Sequence, residues 1–154
     1  MRNETNGGPL VLLLIEDNEA HAEMVKRSFE QHRVSNIIMH VDNGQAGLDY
    51  LFRQGEYDDE VKYPAPHCVL LDLRLPKVDG LEVLRRVKSE KSLKKMPVVI
   101  LTTSAADKDV AKAYEYQANS YVVKPMDFDK FESLMDEMGY YWMAWNQNPW
   151  KPGL

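Results

Sequence analysis

Charged and polar side chains directly follow four apolar segments of the sequence. Glu16 and Asp17 end the first segment, and Asp72, Thr102 and Lys124 stand at the ends of three others. A charge at such a place is costly to hold without a partner, and neighbouring carboxylates repel one another unless a cation lies between them. Hard oxygen ligands with open positions for water suit Mg²⁺. These residue types therefore predict an acidic magnesium pocket with an ammonium and a hydroxyl beside it.

The elements that position these residues follow from the pattern of hydropathy. Strands are predicted over five short segments, at 10–15, 36–40, 68–71, 97–101 and 120–123. Unbroken apolar runs of this length are typical of strands buried on both faces of a parallel sheet. Helices are predicted over 19–33, 43–52, from 79 into the lysine-rich stretch 88–95, over 107–117 and over 128–145. This alternation predicts an α/β fold, in which ligands bind at the carboxyl ends of the strands.

Composition excludes several classes of protein. The 154 residues are 44% hydrophobic and 28% charged, which indicates one cored domain rather than a disordered or fibrous chain. A formal charge of −5 gives no general attraction to nucleic acid or to an anionic membrane. Cys68 is the only cysteine, so an internal disulfide is excluded, and we expect this residue to be a small buried hydrophobe.

The organisation predicted along the chain is simple. Residues 1–9 are predicted to form a flexible N-terminus without a signal-peptide core, 10–146 one domain, and 147–154 a tail with no room for a further domain. The apolar run at 10–15 is far too short to span a bilayer, so we expect a cytoplasmic protein. The polar segment 53–67 is long for a connection and is predicted to be an insertion loop of unassigned role.

Each candidate residue also has a simpler structural explanation. A carboxylate just past a strand often caps the next helix, which Asp17 or the neighbouring Asn18 could do. Lys124 alone is typical of a solvated loop, and Thr102 alone is typical of a β-branched strand residue. Helix capping does not explain a lysine and a threonine at the same edge of the sheet, so the combination favours a site.

The segment Asp72-Leu-Arg-Leu-Pro76 with Asp79-Gly80, together with the acidic pair, Thr102 and Lys124-Pro125, resembles the receiver domain of two-component response regulators. The resemblance covers roughly residues 10–138. Thr102 follows Asp72 by thirty residues, and Lys124 follows Thr102 by twenty-two. The resemblance implies a flavodoxin-like fold, a doubly wound parallel sheet of five strands with five helices.

The resemblance also implies a role for each site residue. Asp72 would accept a phosphoryl group from a sensor histidine kinase or a small phosphodonor. Lys124 and Thr102 would contact that group, and Tyr121 would act as an aromatic switch that moves inward with Thr102. Mg²⁺ would be held by the carboxylates of Glu16, Asp17 and Asp72 and by the backbone carbonyl of Arg74. Tyr121 could instead simply pack with its hydroxyl at the rim. The Lys124-Pro125 peptide bond is a candidate for the cis form, which is accessible to the tertiary amide of an X-Pro bond.

The last helix carries more aromatic residues than one face can bury. An apolar stripe at helical spacing comprises Phe131, Leu134, Met135, Met138, Trp142 and Trp145. This stripe is enough to cover a sheet, whereas Tyr140, Tyr141 and Trp150 add further aromatics. We expect an interface for a homodimer or another partner at Tyr140, Tyr141, Trp142 and Trp145, and the alternative is a tail that folds back on its own domain. These aromatics and the 53–67 loop resemble the phytochrome-associated response regulators, which implies a bacterial phytochrome as one candidate kinase.

Other features receive simpler explanations. The histidines His21, His32, His40 and His67 are predicted to be surface residues, and Lys88, Lys91, Lys94 and Lys95 a solvated helix end. A phosphatase of the dehalogenase type would need an aspartate where Arg74 stands. A flavodoxin-type cofactor binder would need a phosphate cradle after the first strand. The remaining alternative is a scaffold or dimerisation module that has the receiver fold and acts without phosphorylation.

Overall fold

Five strands form a single parallel sheet. The structure is a computed structural model that describes residues 9–31 and 36–141. The strands are β1 Leu10–Ile15, β2 Asn36–Val41, β3 Cys68–Leu71, β4 Val98–Thr102 and β5 Ser120–Val123. Their order in the sheet is β2-β1-β3-β4-β5, with every neighbouring pair parallel. The predicted doubly wound, flavodoxin-like α/β fold is confirmed.

Five α-helices alternate with the strands, as predicted. They are α1 Glu19–Glu30, α2 Gly44–Leu51, α3 Gly80–Ser89, α4 Asp107–Glu115 and α5 Phe128–Tyr140. Four of them begin at a side chain that accepts a hydrogen bond from a backbone N–H in the first turn, which satisfies one of the free donors there. These capping residues are Asn18, Asn43, Asp79 and Asp127. Asn18, and not Asp17, caps α1, so the Asp17 carboxylate is available for the site.

Some element ends differ from the prediction. Helix α1 ends at Glu30 rather than at residue 33, and α4 ends at Glu115 because Gln117 takes a left-handed φ of 70°. The 53–67 loop contains a short 3-10 helix, Gly55–Asp58, which the sequence did not predict. The predicted end of the last helix near residue 145 lies outside the described residues, as do the predicted flexible residues 1–8 and the tail.

The core lies in two layers because both faces of the sheet are covered. Leu13 and Ile15 of β1 face the side that carries α2, α3 and α4. Leu12 and Leu14 face the opposite side, where α1 and α5 pack together. Every residue of β1 is buried, as expected for a central parallel strand. With both faces covered, the carboxyl edge of the sheet is where polar side chains can gather.

No helix in the described part of the chain is long and apolar enough to span a membrane.

The 53–67 loop is packed against the domain by tyrosines. Tyr50 is buried, and its hydroxyl donates to the carbonyl of Pro64 at 2.7 Å. The rings of Tyr57 and Tyr63 pack against each other and against Tyr50, with centroids 4.7 to 5.8 Å apart. Arg53 donates from one guanidinium nitrogen to the carbonyls of Tyr57 and Tyr63. These contacts give the loop a definite structure.

Candidate functional site

The predicted pocket forms at the carboxyl edge of the sheet. Glu16 follows β1, Asp72 follows β3, Thr102 ends β4 and Lys124 follows β5. The ammonium of Lys124 donates to Oε1 of Glu16 and, at 3.0 Å, to Oδ2 of Asp72. All four residues are at most 9% exposed. Residues up to 108 positions apart in the chain therefore meet in one buried cluster.

The acidic residues of this pocket fit a hard divalent cation. Carboxylate oxygens of Glu16, Asp17 and Asp72 all lie within 4.8 Å of one another. Glu16 is buried, whereas Asp17 is exposed, so the cluster is open to solvent on one side. Oxygen ligands with room for water are the donor set that Mg²⁺ prefers. The backbone N–H of Arg74 donates to Oδ1 of Asp72 at 3.4 Å, which places Arg74 beside the cluster; its carbonyl as a ligand stays a prediction.

The two buried carboxyl groups differ in their affinity for a proton. Burial raises the pKa of Glu16 to about 7, although the hydrogen bond and charge of Lys124 act in the opposite direction. Burial would also raise the pKa of Asp72, but the charge of Lys124 and hydrogen bonds from Glu16, Lys124 and Thr102 outweigh it and hold this pKa below its ordinary value. Asp72 is therefore ionised at neutral pH, the state in which its oxygen can act as a nucleophile.

His21 belongs to the pocket, so its prediction as a surface residue is wrong. Its Nδ1 lies 3.0 Å from Nζ of Lys124 and 3.7 Å from Oε1 of Glu16. The side chain is 28% exposed, and its ring stacks on Phe131 of α5. Burial and the neighbouring Lys124 charge lower the pKa of His21. The available signal was position: three residues after the cap Asn18, it lies in the first turn of a helix that begins at the carboxyl edge of the sheet.

A polar network borders the pocket on the α4 side. Nη2 of Arg74 lies 2.6 Å from Oδ2 of Asp109, and the Ser104 hydroxyl donates to the same oxygen at 2.5 Å. The Tyr121 hydroxyl donates to the carbonyl of Ser104 at 2.8 Å. Asp109 is only 5% exposed, and the sequence analysis did not single it out. Tyr121 is half-buried and contacts the loop that follows Thr102. A switch residue that moves with Thr102 is predicted to lie at such a position.

Two further predictions require correction. The structure contains no cis peptide bond among the described residues, so Lys124-Pro125 is trans, the form that X-Pro bonds favour by about 0.5–1 kcal/mol. Lys88 is half-buried rather than fully solvated: its ammonium donates to the carbonyls of Lys94 and Met96 and to Oδ1 of Asn119 at 2.8 to 3.0 Å. Burial lowers the pKa of Lys88 to about 8.

Other side chains agree with their predictions or extend them. Lys91, Lys94 and Lys95 are exposed as predicted. Cys68 is fully buried, and burial raises its pKa to about 12, which confirms it as an inert small hydrophobe. His67 is not merely a surface residue, because its Nδ1 accepts a hydrogen bond from the Val11 N–H at 3.0 Å. Likewise, a ring nitrogen of His40 lies 2.8 Å from the carbonyl oxygen of Glu16.

Part of the aromatic face of the last helix is core. Phe131, Met135 and Met138 are at most 9% exposed and pack against the sheet. Tyr141 is 54% exposed, so its side chain is accessible to a partner. The other three predicted interface side chains, of Tyr140, Trp142 and Trp145, lie outside what the structure describes, and the predicted interface stays a prediction.

Comparison with known proteins identifies the family. The response regulator receiver domain matches residues 12–136. The chain belongs to this family. Receiver domains are parts of two-component systems, in which they pair with histidine kinases. The recognition of a receiver domain from the ordered motifs is therefore confirmed.

Two relatives resemble the chain over nearly its whole length. The probable methanogenesis regulatory protein FilR2 of Methanothrix harundinacea is 43% identical over 92% of this chain and 88% of its own length. The response regulator Rcp1 of Synechocystis is 35% identical over 93% of this chain and 95% of its own length.

Solved structures extend the similarity to the fold and to its phytochrome-associated members. The Mn²⁺-bound form of Rcp1 has a TM-score of 0.88 at 34% identity and covers 92% of this chain and 100% of its own. The phosphorylated cyanobacterial phytochrome response regulator RcpA also has a TM-score of 0.88, at 30% identity, and covers 93% of this chain and 100% of its own. The Mn²⁺ in Rcp1, together with the acidic cluster here, supports divalent-metal binding by this receiver domain.

Proposed function

We propose that this response regulator is a phosphoacceptor switch in which Asp72 is the acceptor. The observation that carries the proposal is the ionised, buried Asp72 carboxylate with the Lys124 ammonium 3.0 Å from its Oδ2. An Asp72 oxygen attacks the phosphorus of a phosphohistidine; the new P–O bond forms as the P–N bond breaks, and the leaving imidazole retains the electron pair and takes up a proton. The product is an aspartyl phosphate.

The metal in this proposal is Mg²⁺. Glu16, Asp17 and Asp72 would hold it with their carboxylates, and Arg74 with its backbone carbonyl. A bound Mg²⁺ supplies positive charge that offsets the negative charge spread over the phosphoryl oxygens. The oxygen-only donor set supports this assignment, as does the exposed side of the cluster at Asp17.

The chain's own residues then report the modification. Lys124 turns from Asp72 to a phosphoryl oxygen, a short movement because its ammonium already contacts the acceptor. The hydroxyl of Thr102, buried at the end of β4, moves to another phosphoryl oxygen and draws in the following loop. Tyr121 hydrogen-bonds to that loop through Ser104, so its ring moves inward with it and alters the surface around α4, β5 and α5.

The partner in this proposal is a sensor histidine kinase of the phytochrome class. The support is the similarity to RcpA and to the bacteriophytochrome response regulator RtBRR, which is 39% identical with a TM-score of 0.70. The output is protein contact by a cytoplasmic homodimer. Its interface would include the aromatic residues Tyr140, Tyr141, Trp142 and Trp145.

Labelling by a phosphodonor tests the acceptor assignment. Wild type and the Asp72→Asn variant are incubated with Mg²⁺ and ³²P-labelled acetyl phosphate or a phosphorylated kinase, with Asp58→Asn as an exposed-carboxylate control. We expect label on wild type and Asp58→Asn and none on Asp72→Asn. Label retained by Asp72→Asn contradicts the acceptor assignment. Absence of label from all three proteins with both donors would instead favour the scaffold alternative.

Light scattering on a sizing column tests the proposed output. The molar mass is measured with Mg²⁺ alone and with Mg²⁺ and beryllofluoride, a mimic of the phosphoryl group. A dimer, formed in either condition and lost in Tyr141→Ala, is the expected result. A monomer in both conditions contradicts the homodimer.

A further inference from the structure

The ammonium of Lys124 has three hydrogens to donate, and three acceptors surround it. They are Oε1 of Glu16, Oδ2 of Asp72 and Nδ1 of His21, the last two each at 3.0 Å. The Lys124 side chain is only 1% exposed. An ammonium has no lone pair, so it can only donate to the imidazole. Nδ1 of His21 must therefore accept, and the ring proton of the neutral imidazole must lie on Nε2.

One contact holds the backbone of His21 and another holds its ring. The residue lies in the first turn of α1, where its backbone N–H donates to Oδ1 of Asn18 at 3.0 Å. Its ring stacks on Phe131 of α5, with centroids 5.5 Å apart and planes inclined by 26°. Phe131 is itself 2% exposed and held in the core between the sheet and α1. Nδ1 is therefore presented to Lys124 by a packed ring rather than by a mobile side chain.

The third acceptor matters because two carboxylates cannot satisfy all three N–H groups of a buried ammonium. Asp72 is 9% exposed and must remain accessible to a phosphodonor, so it cannot enclose the ammonium from its own side. With only the two carboxylates, the third N–H would have no partner at a side chain that is 1% exposed, and an unsatisfied buried donor is costly. A neutral acceptor on a third side holds the ammonium in place without adding a further negative charge to the cluster.

We propose that His21 is a positioning residue for phosphoryl transfer, acting through Lys124: its Nδ1 holds the ammonium facing the acceptor oxygen of Asp72. The inference rests on the proposed function, because it assigns a role within the same site. In this proposal His21 acts through the lysine and not on the transferred group itself. Its contribution is therefore to the rate of the step and not to binding of the donor.

Two substitutions separate this role from a structural one. His21→Phe keeps a ring against Phe131 but removes the acceptor. His21→Asn removes the ring but puts an amide oxygen at the position of Nδ1, because both atoms are bonded to Cγ. We expect His21→Phe to lower the maximal rate of phosphorylation by acetyl phosphate about tenfold, the equivalent of about 1.4 kcal/mol, with the donor concentration for half-maximal rate unchanged.

The rate of His21→Asn decides between the two explanations. We expect it to regain most of the wild-type rate even though it loses the stacking contact. If stacking on Phe131 were the only role of the ring, the order would be reversed, with the phenylalanine variant close to wild type and the asparagine variant impaired. That reversed order, or equal rates for all three proteins, overturns the proposal.

A second measurement needs neither metal nor phosphodonor. In the Mg²⁺-free protein at a fixed neutral pH, the ¹⁵N spectrum of the His21 ring should show the proton on Nε2 and an unprotonated Nδ1. The signal is assigned by its loss in His21→Phe. A proton on Nδ1 overturns the proposal, because a protonated Nδ1 cannot accept from an ammonium.

The design distinguishes failure of this inference from failure of the proposed function. If wild type is labelled at Asp72 and His21→Phe is phosphorylated at the same rate, the role of His21 is overturned and the acceptor assignment stands. A wild type without label overturns both.

Discussion

Replacing Lys124 with methionine tests the electrostatic description of the pocket. The side chain of methionine is unbranched and of similar length, so it removes the ammonium with little change in packing. Glu16 and Asp72 then lose the cation that both contact, in a place where Glu16 is 2% and Asp72 9% exposed. Removing one partner of a buried ion pair typically costs roughly 3–5 kcal/mol of stability.

Protonation of a carboxyl group left without its cation limits this loss of stability, and the limit depends on pH. Burial raises the pKa of Asp72, and the charge of Lys124 is the largest effect that lowers it, so without the ammonium Asp72 takes up a proton more readily. Holding this carboxyl group protonated costs about 1.36 kcal/mol for each pH unit above its ordinary pKa of 3.8. The cost of protonation is therefore about 5 kcal/mol at pH 7.5 and about 2.3 kcal/mol at pH 5.5. Glu16 adds little, because its pKa of about 7 means that the wild type already bears most of the corresponding cost. We expect Lys124→Met to lose about 3–5 kcal/mol at pH 7.5 and about 2 kcal/mol at pH 5.5.

The sign follows from proton binding. In Lys124→Met, between pH 3.8 and the raised pKa of Asp72, the folded state binds more protons than the unfolded state, so the stability of the variant falls as the pH rises. Urea unfolding followed by far-UV circular dichroism, with EDTA at both pH values, measures the difference. Mg²⁺ should then restore part of the stability of Lys124→Met and stabilise it more than it stabilises wild type, because the ion supplies the missing positive charge.

Lys88→Met is the matched control. Lys88 is a half-buried lysine that also has three acceptors, but these are two carbonyls and an amide oxygen near the start of β4, at the opposite edge of the sheet. This variant should lose stability that neither Mg²⁺ nor a change from pH 5.5 to 7.5 restores. The reasoning would be refuted if Lys124→Met were as stable as wild type at pH 7.5. It would also be refuted if the variant lost the same stability at both pH values and did not respond to Mg²⁺.

The remaining predictions concern the metal and the backbone beside Asp72. Because the pKa of Glu16 is about 7, a proton competes with Mg²⁺, and the dissociation constant measured by calorimetry should rise as the pH falls from 7.5 to 5.5, by up to about tenfold per unit; a constant value would contradict Glu16 as a ligand. A Cβ at Gly80 would lie 2.1 Å from the Asp72 carbonyl oxygen and 2.6 Å from Cα of Leu73, so Gly80→Ala should cost about 3 kcal/mol in urea unfolding and slow phosphorylation. Gly55→Ala is its control: a Cβ there meets nothing within 4 Å, and the φ of 60° alone should cost about 1 kcal/mol, so equal losses would contradict the steric argument.

The strands and the starts of helices could be predicted because their signals are local. Central parallel strands are buried on both faces, so β1 and β3 appear in the sequence as unbroken apolar runs. Capping side chains such as Asn43 and Asp79 mark where helices begin. Helix ends were less predictable. The end of α4 depends on the left-handed backbone of Gln117, which no pattern of hydropathy indicates.

The acidic pocket could be predicted because topology brings the strand ends together. Once five alternating strands are recognised, their carboxyl ends must share an edge, and the residues just beyond them must be neighbours. Glu16, Asp72, Thr102 and Lys124 each stand at such an end, and the structure places all four in the cluster. The ordered spacing of these residues then identified the receiver family.

The sequence by itself determined the order of strands and helices along the chain, the layered architecture and the residues at the edge of the sheet. Only the tertiary structure decided which side chains complete the pocket. His21 meets Lys124 across 103 positions, Arg74 meets Asp109 across 35, and Lys88 meets Asn119 across 31. The reason is physical: strand and helix signals arise from neighbours a few residues apart, whereas these contacts depend on how packed helices orient individual side chains over the sheet, which no local pattern encodes.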